Sequence, residues 1–114
     1  MNLQTIIDQL ELNVLTEKKN FLSINSDFGY TSDLLSCVMA GAPHGGIWIT
    51  LQAHANIIAI AHLLDLAAII ITEDAIPDPA VIAKANEEGI TILATPQPTF
   101  WAVGKLWELG LRDS

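Results

Sequence analysis

Three short apolar runs constrain this chain more than any other feature: "IWITL" at 47–51, "AAIII" at 67–71 and "ITILA" at 90–94. Each has the length of a buried strand, and a threonine stands at or beside each end: Thr50, Thr72 and Thr95. Helically patterned stretches fill the intervals. Short apolar strands alternating with helices need crossover connections, which are right-handed and produce a parallel sheet covered on both faces. The expected fold is a three-layer α/β/α domain with a mainly parallel sheet. At 114 residues it forms one domain spanning 1–114.

The helices have readable ends. "ANIIAIAHLLD" (55–65) is apolar almost all round, and "DPAVIAKANEEG" (78–89) has Pro79 in its first turn and Gly89 as its stop. "QPTFWAVGKLWELG" (97–110) is expected to turn Phe100, Val103, Leu106 and Trp107 inward and to end at Gly110. Ahead of the repeating part, Leu3, Ile6, Ile7 and Leu10 share one face of a short helix. "LNVLT" and "FLSINS" read as extended segments around the polar turn "EKKN". "TSDLLSCVMA" (31–40) reads as a helix capped by Thr31 or Ser32, with Asp33 in its first turn and "GAPHGG" breaking it.

Composition excludes several classes. Thirteen acidic residues against five basic ones give a formal charge of −8. The five cations (Lys18, Lys19, Lys84, Lys105, Arg112) are scattered, whereas nucleic acid and anionic membrane surfaces require them clustered. The single cysteine, Cys37, rules out an internal disulfide and is expected to be buried and inert. Polar residues interrupt every apolar stretch short of the ~20 residues of a membrane span. With no basic leader or cleavage site, a soluble cytoplasmic protein is expected.

Ligands of parallel α/β sheets bind outside the carboxyl ends of the strands. The residues just after the three threonines therefore line one rim: Gln52, His54 and Asn56 after Thr50, Glu73 and Asp74 after Thr72, Gln97 and Thr99 after Thr95. The helix beginning near Thr31, Ser32 and Asp33 points its start at the same place. Amides and hydroxyls both donate and accept, which suits a base edge or a sugar hydroxyl. Helix capping and β-propensity explain single threonines equally well, but one cap is needed after Thr50, not three polar residues. His62 reads as a core or interface histidine and His44 as a solvated loop residue. No GxxxxGK[ST], no GxGxxG after a strand and no GxSxG is present, and the histidines at 44, 54 and 62 lack metal-ligand spacing. No cofactor or metal is expected.

Along "GYTSDLLSCVMA", "IWITLQAHANIIAIAHLLDLAAIIIT" and "PDPAVIAKANEEGITIL" the chain resembles the DRTGG domain family, from about Ile24 to Leu111. No literal DRTGG string is present; the nearest counterpart is "SDFGY" at 26–30. The resemblance implies a fold like the amino-terminal domain of the kinase/phosphorylase that acts on the carrier protein HPr. It further implies a dimerising, non-catalytic sensor of a small polar metabolite or adenine nucleotide. It draws Ser32, Asp33, Gln52, His54 and Asn56 together as a shared feature, with Thr50, Thr72 and Thr95 completing the candidate ligand-binding set. Two other readings stand beside this one. The apolar helices and one of Trp101 and Trp107 could dock onto a partner enzyme, or His54 with Glu73 or Asp74 could act as an acid/base pair.

Overall fold

A computed structural model describes all 114 residues. In chain order the elements are α1 (Leu3–Leu10), β1 (Asn13–Val14), a 3₁₀ turn (Phe21–Ser23), β2 (Gly29–Thr31), α2 (Leu35–Gly41) and β3 (Ile47–Thr50). The second half comprises α3 (Asn56–Leu63), β4 (Ala68–Ile71), α4 (Pro79–Glu88), β5 (Ile92–Ala94) and α5 (Thr99–Leu109). The sheet order is β1-β5-β4-β3-β2, with β2 to β5 mutually parallel and β1 antiparallel at the β5 edge. This is the three-layer, mainly parallel α/β/α architecture the sequence predicts.

Because β2, β3, β4 and β5 are laid down side by side in sequence order, their right-handed crossovers place α2, α3 and α4 on the same face. The core on that face joins Trp48, Ile69, Ile71 and Ile92 to Val38, Ile57, Ala61 and Ala85. α5 departs from β5 to the opposite face, where Ile47, Ile49, Ile70 and Leu93 meet Leu106 and the apolar side of α1. Every residue of β3 and β4 is buried. That explains their unbroken apolar runs, since a strand covered on both faces has no solvent side for a polar residue.

Several expectations need correction. The helix expected over 31–40 begins only at Leu35, and Thr31 instead closes β2, a three-residue strand. Phe21–Ser23 is a 3₁₀ turn rather than extended chain. Phe100, expected inside, is 92% exposed, because α5 seats Ala102 and Leu106 on the sheet and Phe100 lies on the far side of the helix. Trp107, from the same expected inner face, is half-exposed under the Arg112 guanidinium, which lies 4.3 Å from its ring. Cys37 is exposed, since α2 buries only Val38 fully. His62 is likewise exposed, with Nδ1 3.9 Å from the Glu88 carboxylate on α4. No helix is long and apolar enough to cross a membrane.

Candidate functional site

The carboxyl ends of β2 to β5 form a rim with two differently built halves. On the β2–β3 side the organising group is the Asp33 carboxylate. Its Oδ1 accepts from the Thr50 hydroxyl at 2.7 Å and from Leu51 N–H at 2.9 Å. Thr50 is fully buried, and its Oγ1 in turn accepts from Gln52 N–H at 3.1 Å. Gln52 Nε2 donates back to Asp33 C=O at 3.0 Å. Ser32 closes the turn: its hydroxyl accepts from Leu34 N–H at 3.1 Å, and its carbonyl accepts from the indole N–H of fully buried Trp48. Asp33 is thus a clamp between the β2–α2 and β3–α3 loops, not a first-turn helix residue. A buried indole N–H needs an acceptor, and satisfying it at Ser32 holds the chain extended where the sequence pattern suggests a helix.

This clamp fixes one wall of an open groove of about 450 Å³. Gln52, Ala53, His54 and Ala55 form that wall; Ile76, Asp78, Ala80 and Val81 form the other. Gln52 uses one Nε2 N–H on Asp33 C=O, which leaves its Oε1 and its second N–H open to a ligand. His54 and Asp78 are exposed and make no side-chain hydrogen bond within the chain. Asn56 starts α3 next to the groove without lining it.

The β4–β5 side is knitted shut. Thr72, fully buried, hydrogen-bonds through its hydroxyl to Thr99 and donates to Thr50 C=O. Thr95, also buried, accepts from Gln97 N–H through Oγ1. Glu73 and Asp74 sit consecutively at φ 61° and 59°, left-handed values that side chains other than glycine adopt at a cost. Cross-loop bonds hold them there: Glu73 N–H to Gln97 C=O and Asp74 N–H to Thr95 C=O. The Glu73 carboxylate accepts from Thr99 N–H at 2.7 Å, capping α5, whose own N-cap residue Pro98 supplies no side-chain bond.

The structure therefore brings Ser32, Asp33, Thr50, Gln52 and His54 together, and sets Thr72 and Thr95 as buried anchors on the other half. Glu73 and Asp74 do not share the groove with His54; the carboxylate that does is Asp78, which sequence reasoning missed. Its signal was present in "IPDPA", where an Asp at a helix start directly succeeds a rim loop. No cluster of His, Cys, Asp or Glu is arranged to hold a metal ion. "SDFGY" lies at the amino end of β2, away from the rim, where the Ser26 hydroxyl donates to Gly45 C=O. A second, largely apolar cavity of about 260 Å³ flanks β2 under Val103, Leu106 and Trp107. It forms because α5 packs over β3 and leaves the edge strand partly bare.

A mainly parallel sheet whose helices divide between both faces places the chain among the three-layer α/β domains. More specifically, the chain belongs to the DRTGG domain family, whose model matches residues 5–109, beginning well before the Ile24 expected from the sequence. Among solved structures it is similar to the CBS and DRTGG domains of the regulatory region of Clostridium perfringens pyrophosphatase, complexed with its activator diadenosine tetraphosphate. The two share 20% identity at a TM-score of 0.73 over 92% of this chain, which spans 45% of that one. No curated protein matches.

Proposed function

We propose that this chain is a non-catalytic regulatory module that binds a small polar metabolite of the adenine-nucleotide kind in the open half of the rim and works as a homodimer. Gln52 and His54 contact the ligand, with Asn56 beside them. Ser32, Asp33 and Thr50 hold the reading loop in place, and Thr72 and Thr95 fix the neighbouring strand ends. The observation that carries this reading is the contrast inside the groove. Its backbone is held by a closed set of hydrogen bonds, while Gln52 Oε1, His54 and Asp78 have unspent hydrogen-bonding capacity. Family membership and the nucleotide-activated pyrophosphatase region that shares the fold support a sensing role.

The test is a thermal-shift screen of nucleotides and phosphorylated metabolites on the wild type and on the double variant Gln52→Ala/His54→Ala. A ligand at about 100 times its Kd adds about 2.7 kcal/mol, which moves Tm by roughly 10 °C in a domain this size. The expected result is a shift that the double variant loses. No shift with any compound overturns the reading. Sedimentation velocity tests the homodimer.

A second reading has its own observation. Leu34, Leu51, Ile76 and Phe100 stand on rim loops or first helical turns and are between 43% and 92% exposed. Exposed large apolar groups gathered at one end of a domain suit docking onto a partner enzyme. A partner that binds the wild type but not Ile76→Ser/Phe100→Ser, with binding indifferent to His54→Ala, would select this reading.

A further inference from the structure

The rim has a charge pattern that narrows the ligand. All five cations lie elsewhere. Lys19 donates to Gly89 C=O ahead of β5, at the opposite end of the sheet, with Lys18 next to it in the chain. Arg112 lies beside Phe28 before β2, and Lys105 pairs with Glu108 on α5. Lys84 is held 3.1 Å from Glu88 in the last turn of α4. Against this, four carboxylates stand on the rim loops: Asp33, Glu73, Asp74 and Asp78. Two of them are engaged by backbone or hydroxyl donors. Asp78, in the groove itself, is not. The starts of α3 and α4 do open toward the groove, and helix starts attract anions. Asp78 occupies the N-cap position of α4 and already places a negative charge there.

Building on the rim reading above, we infer that the groove recognises the uncharged nucleoside part of its ligand and leaves any phosphate in solvent. The groups on offer are weighted toward acceptors: Gln52 Oε1 and the two Asp78 oxygens accept, the second Gln52 Nε2 N–H donates, and the His54 ring can take either role. They match a ligand rich in donors, such as a ribose diol and an exocyclic amino group. Aliphatic Ile76, 79% exposed on the facing wall, provides a surface for the face of a base. A phosphate in this groove would meet Asp78 with no lysine or arginine to offset the repulsion.

Isothermal titration of adenosine, AMP and ATP at low and at physiological ionic strength tests this. Adenosine is expected to bind at least as tightly as ATP, and its affinity is expected to be unaffected by salt. ATP should bind more tightly when salt screens the repulsion. Asp78→Asn, an exposed position with no side-chain bond to lose, should raise the affinity of ATP relative to adenosine. ATP binding more tightly than adenosine at low salt overturns this inference and leaves the rim reading standing. Heat from none of the three compounds overturns both.

Discussion

The two halves of the rim begin from the same residue type and end in opposite states. Thr50, Thr72 and Thr95 are all buried, and each hydroxyl is hydrogen-bonded inside the chain. Around Thr50 the bonds run inward to Asp33 and along the loop, so the loop is rigid while its outer side chains stay free. Around Thr72 and Thr95 the bonds run from loop to loop, and little is left to offer a ligand. The reason is topological. The β3–α3 and β4–α4 connections both descend on the same face of the sheet, leaving a groove between their helices. The β5–α5 connection crosses to the other face, so its loop is drawn over the strand ends and stitches to Glu73 and Asp74.

With the halves built this way, the largest effect on stability comes from Thr50→Val. The isosteric change removes the buried hydroxyl that joins Asp33 to Gln52 N–H, at an expected cost of about 1–3 kcal/mol. Chemical denaturation measures it. Thr95→Val, which loses a single acceptor for Gln97 N–H, should cost visibly less, and equal losses would break the comparison. Glu73→Ala comes next. Removing the cap on Thr99 N–H should cost about 1 kcal/mol, in the range of lost N-caps. It should also speed hydrogen exchange in the first turn of α5 while leaving α3 protected. Loosening of both helices would mean that the halves are not independent.

Asp74→Gly should act in the opposite direction. At φ 59° the aspartate is in a conformation that glycine adopts freely, and its N–H bond to Thr95 C=O survives the change. Relief of strain outweighs the greater freedom of the unfolded chain only slightly, so a gain of roughly 0.5 kcal/mol is expected. Combining it with Glu73→Ala asks whether the left-handed pair needs its cap to persist.

The layers and strands of this contrast were legible in the sequence, because β3, β4 and β5 are buried on both faces and burial leaves continuous apolar runs. β2 was not. Three residues including a glycine carry too little pattern, and the helix-like "TSDLL" next to them is pulled straight by Trp48 and Asp33, which act from and toward β3. Gln52 and His54 were legible as candidates because a polar cluster interrupting two apolar segments has no core use. Asp78 went unread for the converse reason, since an aspartate before a helical proline looks like an ordinary cap. Its side chain makes no such bond. The sealing of Thr72 and Thr95 depends on where α5 turns, and no local pattern encodes that.

The smallest effect is expected at Lys84, and it bears on whether the open half is free of cations. Its side-chain bond to Glu88, then the charges of Glu87 and Glu88, raise the Lys84 pKa above its ordinary 10.5. A folded-state pKa above the unfolded one means that the stabilisation is fully present below about 10.5. It is lost as pH rises through the higher folded value. Lys84→Met should therefore flatten the alkaline end of the stability profile and change little else, as an exposed i,i+4 pair contributes weakly. Lys84 lies one helical turn beyond Ala80, and Ala80 lines the groove. Held at Glu88, it should contribute nothing to a ligand there, so nucleotide binding should be the same in Lys84→Met as in the wild type. A loss of binding would show that the ammonium reaches the groove, and the open half could then no longer be described as a site without positive charge.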